Sequence, residues 1–222
     1  MDGNGRWARE KGLPRRDGHR AGAESVREVV EACKKIGVRF LTLFAFSSEN
    51  WNRPKPEIRA LMALLKEFLR VKTPEMKEQG VRLHAIGRLK DLPADCRKAL
   101  NSAIEQTASN TEIDVILALS YGSREEIVDA ARQLAREAAS GVLDPEDIDN
   151  EMMSQRLYTS NIPDPDLLIR TSGERRISNF LLWQISYAEI VINDKFWPDF
   201  RESDLNEAIA EYAQRNRRFG SI

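Results

Sequence analysis

Val38-Arg39-Phe40-Leu41-Thr42-Leu43-Phe44-Ala45-Phe46 is the stretch that decides the fold. It is a short, nearly continuous apolar run rich in strand formers, the pattern of a strand covered on both faces. The chain then turns polar from Ser47 to Lys55, so the strand ends in a loop that crowds together hydroxyls, amides, the Glu49 carboxylate, the Trp51 indole and the Arg53 guanidinium. Strands covered on both faces belong to α/β architectures, in which ligands sit at the carboxyl ends of the strands.

Working outward, Ala21 to Lys35 sets Val26, Val29, Val30 and Cys33 at helical spacing, and Gly37 supplies a stop. On the other side Pro56 opens a helix in which Ile58, Leu61, Met62, Leu65, Phe68 and Leu69 form an apolar face broader than a surface helix needs. The alternation continues with a strand over 81–86, a helix over 94–107, a strand over 113–119, a helix over 124–139 and a shorter helix near 147–157. A strand over 167–169, a helix over 178–187, a strand over 188–192 and a closing helix over 202–217 complete it. The pattern predicts an α/β fold in a single domain over 1–222, with a mostly parallel central sheet of about five to six strands flanked by helices.

Composition narrows the function. The 222 residues carry 34 Lys and Arg against 35 Asp and Glu, so no overall field draws the protein to nucleic acid or an anionic surface, and any anion binding must be local. Cys33 and Cys96 have no partner at metal or CxxC spacing and read as reduced thiols of a cytosolic protein. There is no run of about 18 apolar residues, which predicts a soluble chain.

Local anion sites are easy to find. Asp2-Gly3-Asn4-Gly5-Arg6 combines residues that tolerate unusual backbone angles and can aim several amides at one anion, with Asp2 placed to hold Mg2+; a plain turn explains the glycine pair equally well. Arg15, Arg16, His19 and Arg20 follow in a segment punctuated by Gly12, Pro14 and Gly18, a set of cationic donors that alone reads as a solvated charge run. The loop Arg170 to Ser178 offers hydroxyls and guanidiniums ahead of the helix expected at 178, whose first amides favour phosphate. Neither a GxxxxGK[ST] loop nor a GxGxxG fingerprint occurs, which argues against the common nucleotide-binding types.

Taken together, MDGNGRWA (1–8), GHRAGA (18–23), FAFSSENWNRP (44–54), LLIRTSGERRISNFLLWQ (167–184) and YAEI (187–190) resemble the cis-prenyltransferases, most closely those that make undecaprenyl diphosphate in bacteria. The DDxxD motif of the trans enzymes is absent. The resemblance implies repeated addition of isopentenyl diphosphate to a farnesyl diphosphate primer with Z geometry, giving a long lipid carrier for the cell wall. It implies a cytoplasmic homodimer that delivers its product to the inner face of the membrane.

Residue by residue, the resemblance implies that Asp2 organises Mg2+ on the allylic diphosphate, which Gly3, Asn4, Gly5, Arg6, Trp7 and Arg15 cradle, with Glu189 as a second acidic group near the metal. Arg170, Arg176 and Ser178 would hold the isopentenyl diphosphate. His19, Ser47, Asn50 and Arg53 match the cluster that orders the diphosphates and takes the proton lost on condensation; which of them accepts it stays open. Glu49 and Trp51 match a loop that closes over the substrates, and Arg218-Phe219-Gly220 an element that reaches the partner's site. The helices at 58–69 and 94–107 would wall an apolar tunnel, although ordinary core packing explains them too.

Departures exist. Ser120 and Ser123 stand where relatives usually carry Asn and Gly, and Arg175 occupies a variable site. The family also places an apolar strand directly before the opening motif, whereas this sequence begins at Met1, so the resemblance predicts a sheet short of that strand and an opening turn without its anchor. Two rival functions are a non-catalytic scaffold of the same fold, which has no need of Asp2, Asn50, Arg53, Arg170 and Arg176, and a polyanion binder, which has no need of Asp2 and Glu189 among its arginines. A synthase of shorter Z-prenyl chains remains compatible.

Overall fold

The computed structural model of the chain describes residues 1–215. Twelve principal elements follow in the order α1 (Asn4–Glu10), α2 (Arg15–Lys35), β1 (Phe40–Ser47), α3 (Lys55–Glu78), β2 (Val81–Ile86), α4 (Ala94–Thr107), β3 (Ile113–Tyr121), α5 (Ser123–Ala139), α6 (Asn150–Ser154), β4 (Leu167–Arg170), β5 (Glu189–Ile192) and α7 (Glu202–Ala213). The α/β alternation is as expected, and all the strand pairs are parallel.

β3 is the spine. All nine of its residues are buried, and it pairs with β1 on one side and β2 on the other. A strand that meets side chains on both faces must be apolar almost throughout; its one charged residue, Asp114, is paired with Arg82 and lies 2.6 Å from His84 Nε2, both from β2. Helices α2, α3 and α4 supply Val29, Cys33, Leu69, Leu100 and Ala103 to the core around it. Both cysteines are buried and free, and burial pushes the Cys33 thiol up to about 12, which leaves it inert.

Five strands form, but not one sheet. β1-β3-β2 is one ladder and β4-β5 a second, and β1 and β4 do not pair with each other among the described residues. A cleft of about 540 Å3 separates them, lined by Phe40 to Phe44 on one side, Leu167 to Arg170 on the other, and Met1 and Trp197. The opening segment nevertheless has anchors: the Asp2 carbonyl accepts from the Trp197 amide at 2.8 Å, and the Asp2 amide donates to Thr171 Oγ1 at 3.0 Å.

Four helical expectations change. Helix α2 begins at Arg15, not near Ala21, because Pro14 sets the backbone for a first turn and Gly18 and Gly22 are helical where α1 crosses. Segment 178–187 is not a helix: Ser178, Asn179 and Leu181 have φ of 56°, 61° and 50°, which breaks the right-handed path. The helix near 147–157 shrinks to Asn150–Ser154, and the closing helix ends at Ala213. Among the described residues no helix is long and apolar enough to cross a membrane.

Candidate active site

The carboxyl ends of β1 and β4 and the first turns of α1 and α2 enclose a cavity of about 680 Å3. Gly3 makes it possible by capping α1 at φ 91°, since a Cβ there would lie 2.4 Å from both Phe196 and Ser172 Oγ. The segment Asn4 to Arg6, expected to be an open turn, is therefore the first turn of a short helix. Gly18 and Gly22 let α2 lie against it so closely that a Cβ on Gly18 would stand 2.0 Å from the Asn4 carbonyl oxygen. Arg15 and His19 are thereby brought to the same wall as Asn4 to Arg6.

Asp2 is the hub of that wall. Its carboxylate accepts from the Gly3 amide at 2.6 Å and from Arg170 Nη2 at 2.8 Å, with Arg6 at 3.5 Å. Burial alone would raise its pKa, but the Gly3 amide and the Arg170 and Arg6 guanidiniums take it below the ordinary carboxylate value. Glu174 lies between two further donors, 2.8 Å from Arg6 and paired with Arg176. On the opposite side Glu57 gathers Arg53 at 3.1 Å and Arg15 at 3.5 Å.

His19 lies among these cations. Burial first, then Arg53 and Arg15, lower its pKa to about 4 against the pull of Glu57, so the imidazole is neutral at neutral pH. Its Nε2, Asn4 Oδ1 and Arg170 Nε are buried without a hydrogen-bond partner. Unsatisfied polar atoms on a cavity wall are open to hydrogen bonds from a polar ligand.

The register of β1 slips between Phe44 and Ser47, and the strand runs into a 3-10 turn, Ser48–Asn52. The turn is closed by a reciprocal cap in which Asn50 Oδ1 accepts from the Ser47 amide at 3.2 Å and the Ser47 side chain accepts from the Asn50 amide. Below these polar groups the cavity is apolar, walled by Val26, Phe44, Leu61, Leu64, Leu65 and Phe68. Helix α4 contributes nothing to that wall; its apolar residues pack into the core with α3 and β2.

Of the residues expected at the site, Asp2, Gly3, Asn4, Gly5, Arg6, Arg15, His19, Ser47, Glu49, Asn50, Arg53, Arg170, Arg176 and Ser178 line the cavity. Trp7 does not; Lys11 Nζ sits 4.6 Å over its ring. Trp51 also turns away, packing edge-on against Phe46 and donating to Ser120 Oγ at 2.9 Å. Arg218-Phe219-Gly220 lies outside the described residues. Thr171 and Glu174 lie in the loop expected to bind an anion but were given no role of their own, and Glu57 escaped; its spacing four residues after Arg53 is the one visible signal.

Glu189 is also displaced from the expected pair. It opens β5 opposite Leu167, whereas Arg170 and Asp2 meet at the other end of the ribbon, roughly 10 Å of strand away. Arg215 holds it at 2.8 Å. Among the described residues no three acidic, His or Cys side chains form a metal cluster. Asp2 alone still fits Mg2+, which binds through one or two carboxylates with phosphate oxygens and water supplying the rest.

Comparison with known proteins agrees with this geometry. Residues 1–220 match a family model described as "Putative undecaprenyl diphosphate synthase". An isoprenyl transferase of Heliobacterium mobile is 51% identical over 222 residues, all of this chain and 85% of that protein. One from Brucella suis is 53% identical, again over the whole chain and 87% of the relative. Among solved structures, lavandulyl diphosphate synthase from Lavandula x intermedia, in complex with dimethylallyl diphosphate, superposes with a TM-score of 0.96 at 38% identity, covering 100% of this chain and 95% of that one. A probable undecaprenyl diphosphate synthase from Campylobacter jejuni gives 0.81 at 35% identity, covering 90% and 92%.

Proposed function

The chain belongs to the undecaprenyl diphosphate synthase family of prenyltransferases, and from that premise we propose that it lengthens a farnesyl diphosphate primer with isopentenyl diphosphate, in Z geometry, to undecaprenyl diphosphate. The observation that carries this reading is the two-part cavity: arginines and unpartnered polar atoms at one end, an uninterrupted apolar wall at the other. A prenyl diphosphate has the same division.

In this reading the allylic diphosphate lies on the first amides of α1 with Arg6 and Arg15, and the isopentenyl diphosphate on Arg170, Arg176 and Ser178. The allylic C–O bond breaks as the alkene pair of isopentenyl diphosphate forms the new C–C bond, and a proton leaves the adjacent carbon. Guanidiniums and amides fixed before the reaction stabilise the charge that develops on the departing diphosphate. The neutral imidazole of His19 and the Ser47–Asn50 pair stand at the wall where that proton is released. Mg2+ on Asp2 would add charge neutralisation at the diphosphate. The apolar wall keeps water from the reacting carbon and takes up the growing chain.

The role in cell-wall lipid supply, the homodimer and the delivery of product to the membrane belong to the same reading. The deciding experiment incubates the purified protein with Mg2+, farnesyl diphosphate and labelled isopentenyl diphosphate and separates the products by chromatography. Long Z-prenyl diphosphates are expected. Folded protein that makes no prenyl product overturns the reading, and short products alone replace it with that of a short-chain synthase.

A further inference from the structure

Two other segments of chain meet at Asn179. Its carbonyl accepts from the Ser123 amide at 2.9 Å, and its side-chain Oδ1 accepts from the Arg124 amide at 2.9 Å. Its Nδ2 donates to Glu49 at 3.0 Å and to Glu125 at 3.1 Å. The oxygen end of the side-chain amide thus meets the Arg124 N–H at the start of α5, and the nitrogen end meets two carboxylates, so only one orientation of the side chain satisfies all three. The meeting point has no spare room: a Cβ on Gly122 would lie 2.6 Å from Asn179 Nδ2, 2.5 Å from Ser48 Oγ and 2.1 Å from Glu125.

The backbone at this point is strained. Ser178, Asn179 and Leu181 all have left-handed φ, a conformation that costs a non-glycine residue on the order of 1–2 kcal/mol and persists where surrounding contacts over-determine it. Asn179 supplies four of those contacts, and the Leu182 amide adds another by donating to Ser123 Oγ at 2.7 Å. The residues carried by the strained segment, Arg176 and Ser178, face the cavity, as does Asn179 itself. Through Glu49 the same side chain reaches the turn that carries Asn50 and leads to Arg53.

We propose that Asn179 is a positioning residue that holds the Arg176–Ser178 segment at a fixed separation from the Glu49–Arg53 segment, so that two bound diphosphates are presented in reacting alignment. The proposal rests on the prenyltransferase reading above. Its loss acts on both substrates at once: the isopentenyl site loosens, and the alignment needed for bond formation is lost with it.

The test compares wild type, Asn179→Ala, Asn179→Asp, Glu125→Gln and the double variant Asn179→Asp/Glu125→Gln. Steady-state kinetics are run against each diphosphate, with amide hydrogen exchange over residues 47–53 and thermal stability measured in parallel. Asn179→Asp brings a third carboxylate onto two others and is expected to lower kcat/KM for isopentenyl diphosphate about tenfold or more, through both a raised KM and a lowered kcat. Glu125→Gln alone stays near wild type. The double variant exchanges donor and acceptor across the Asn179–Glu125 bond and recovers several-fold of the loss. Asn179→Ala accelerates exchange over 47–53.

Wild-type kinetic constants and exchange in Asn179→Ala would overturn the proposal, as would a double variant no more active than the single one at equal stability. Should the wild type make no prenyl product, the functional reading fails, while the exchange measurement still decides whether Asn179 ties the two segments together.

Discussion

Arg170 Nη2 lies 2.8 Å from Asp2 Oδ2, an ion pair between residues 168 positions apart. It joins the end of β4 to the start of α1 and places a carboxylate and a guanidinium side by side at the cavity wall. Asp2→Ala removes the carboxylate without opening the core, because the Asp2 backbone is held by Trp197 and Thr171. We expect kcat to fall by roughly 100-fold or more, with the circular-dichroism spectrum unchanged. An unchanged kcat would reduce Asp2 to a turn-forming role.

His19 makes stability depend on pH. Its folded pKa of about 4 lies below the ordinary 6.5, so between those values the unfolded chain binds a proton that the folded chain resists. Its contribution is therefore complete above pH 6.5 and is lost as pH falls toward 4. The loss amounts to about 3 kcal/mol at most. Denaturant titrations across that window should show a shallower pH dependence for His19→Gln than for wild type; parallel curves would contradict the shifted imidazole.

Gly18→Ala tests the contact between the first two helices. The added methyl would meet the Asn4 carbonyl oxygen at 2.0 Å, and backbone cannot rotate away as a side chain can. A destabilisation of about 1–3 kcal/mol is expected, together with weaker binding of inorganic pyrophosphate in calorimetry. Wild-type affinity in a folded variant would show that this helix contact does not shape the anion site.

Phe68→Ala tests the apolar wall. The ring is half-buried and faces the cavity, so truncation should cost about 2 kcal/mol. It should also shift the product distribution toward longer chains by reverse-phase chromatography. An identical distribution would move the length limit elsewhere on the wall.

Much of this was written in the sequence, and unevenly. The run around Phe40 to Phe46 gave its strand to within two residues because strand formers fill it, but the expected cover on both faces is incomplete: only Leu43 and Phe46 are buried, while Phe40 and Ala45 are exposed. The arginines of the site stood out because charge in strand-end loops needs a partner. By contrast, 178–187 has helical spacing of Phe180, Leu181 and Gln184 but left-handed Ser178, Asn179 and Leu181, and nothing in a Ser-Asn-Phe-Leu string announces three such residues. Glu189 shows the other limit: an acidic residue near a motif in sequence can stand at the far end of a strand from it. Trp51 resembled a substrate contact, but its direction was set by Ser120, 69 positions away.

The scatter of the cavity's polar groups along the chain has a mechanical consequence. Arg53 and Asn50 follow β1, Arg170 ends β4, and Arg6 and Arg15 lie in the first turns of α1 and α2, yet all five line one cavity. An anion gripped from these separate segments acts as a cross-tie between them. Ligand occupancy should therefore slow local opening of the segments that carry them, and the protein becomes most rigid when it is loaded.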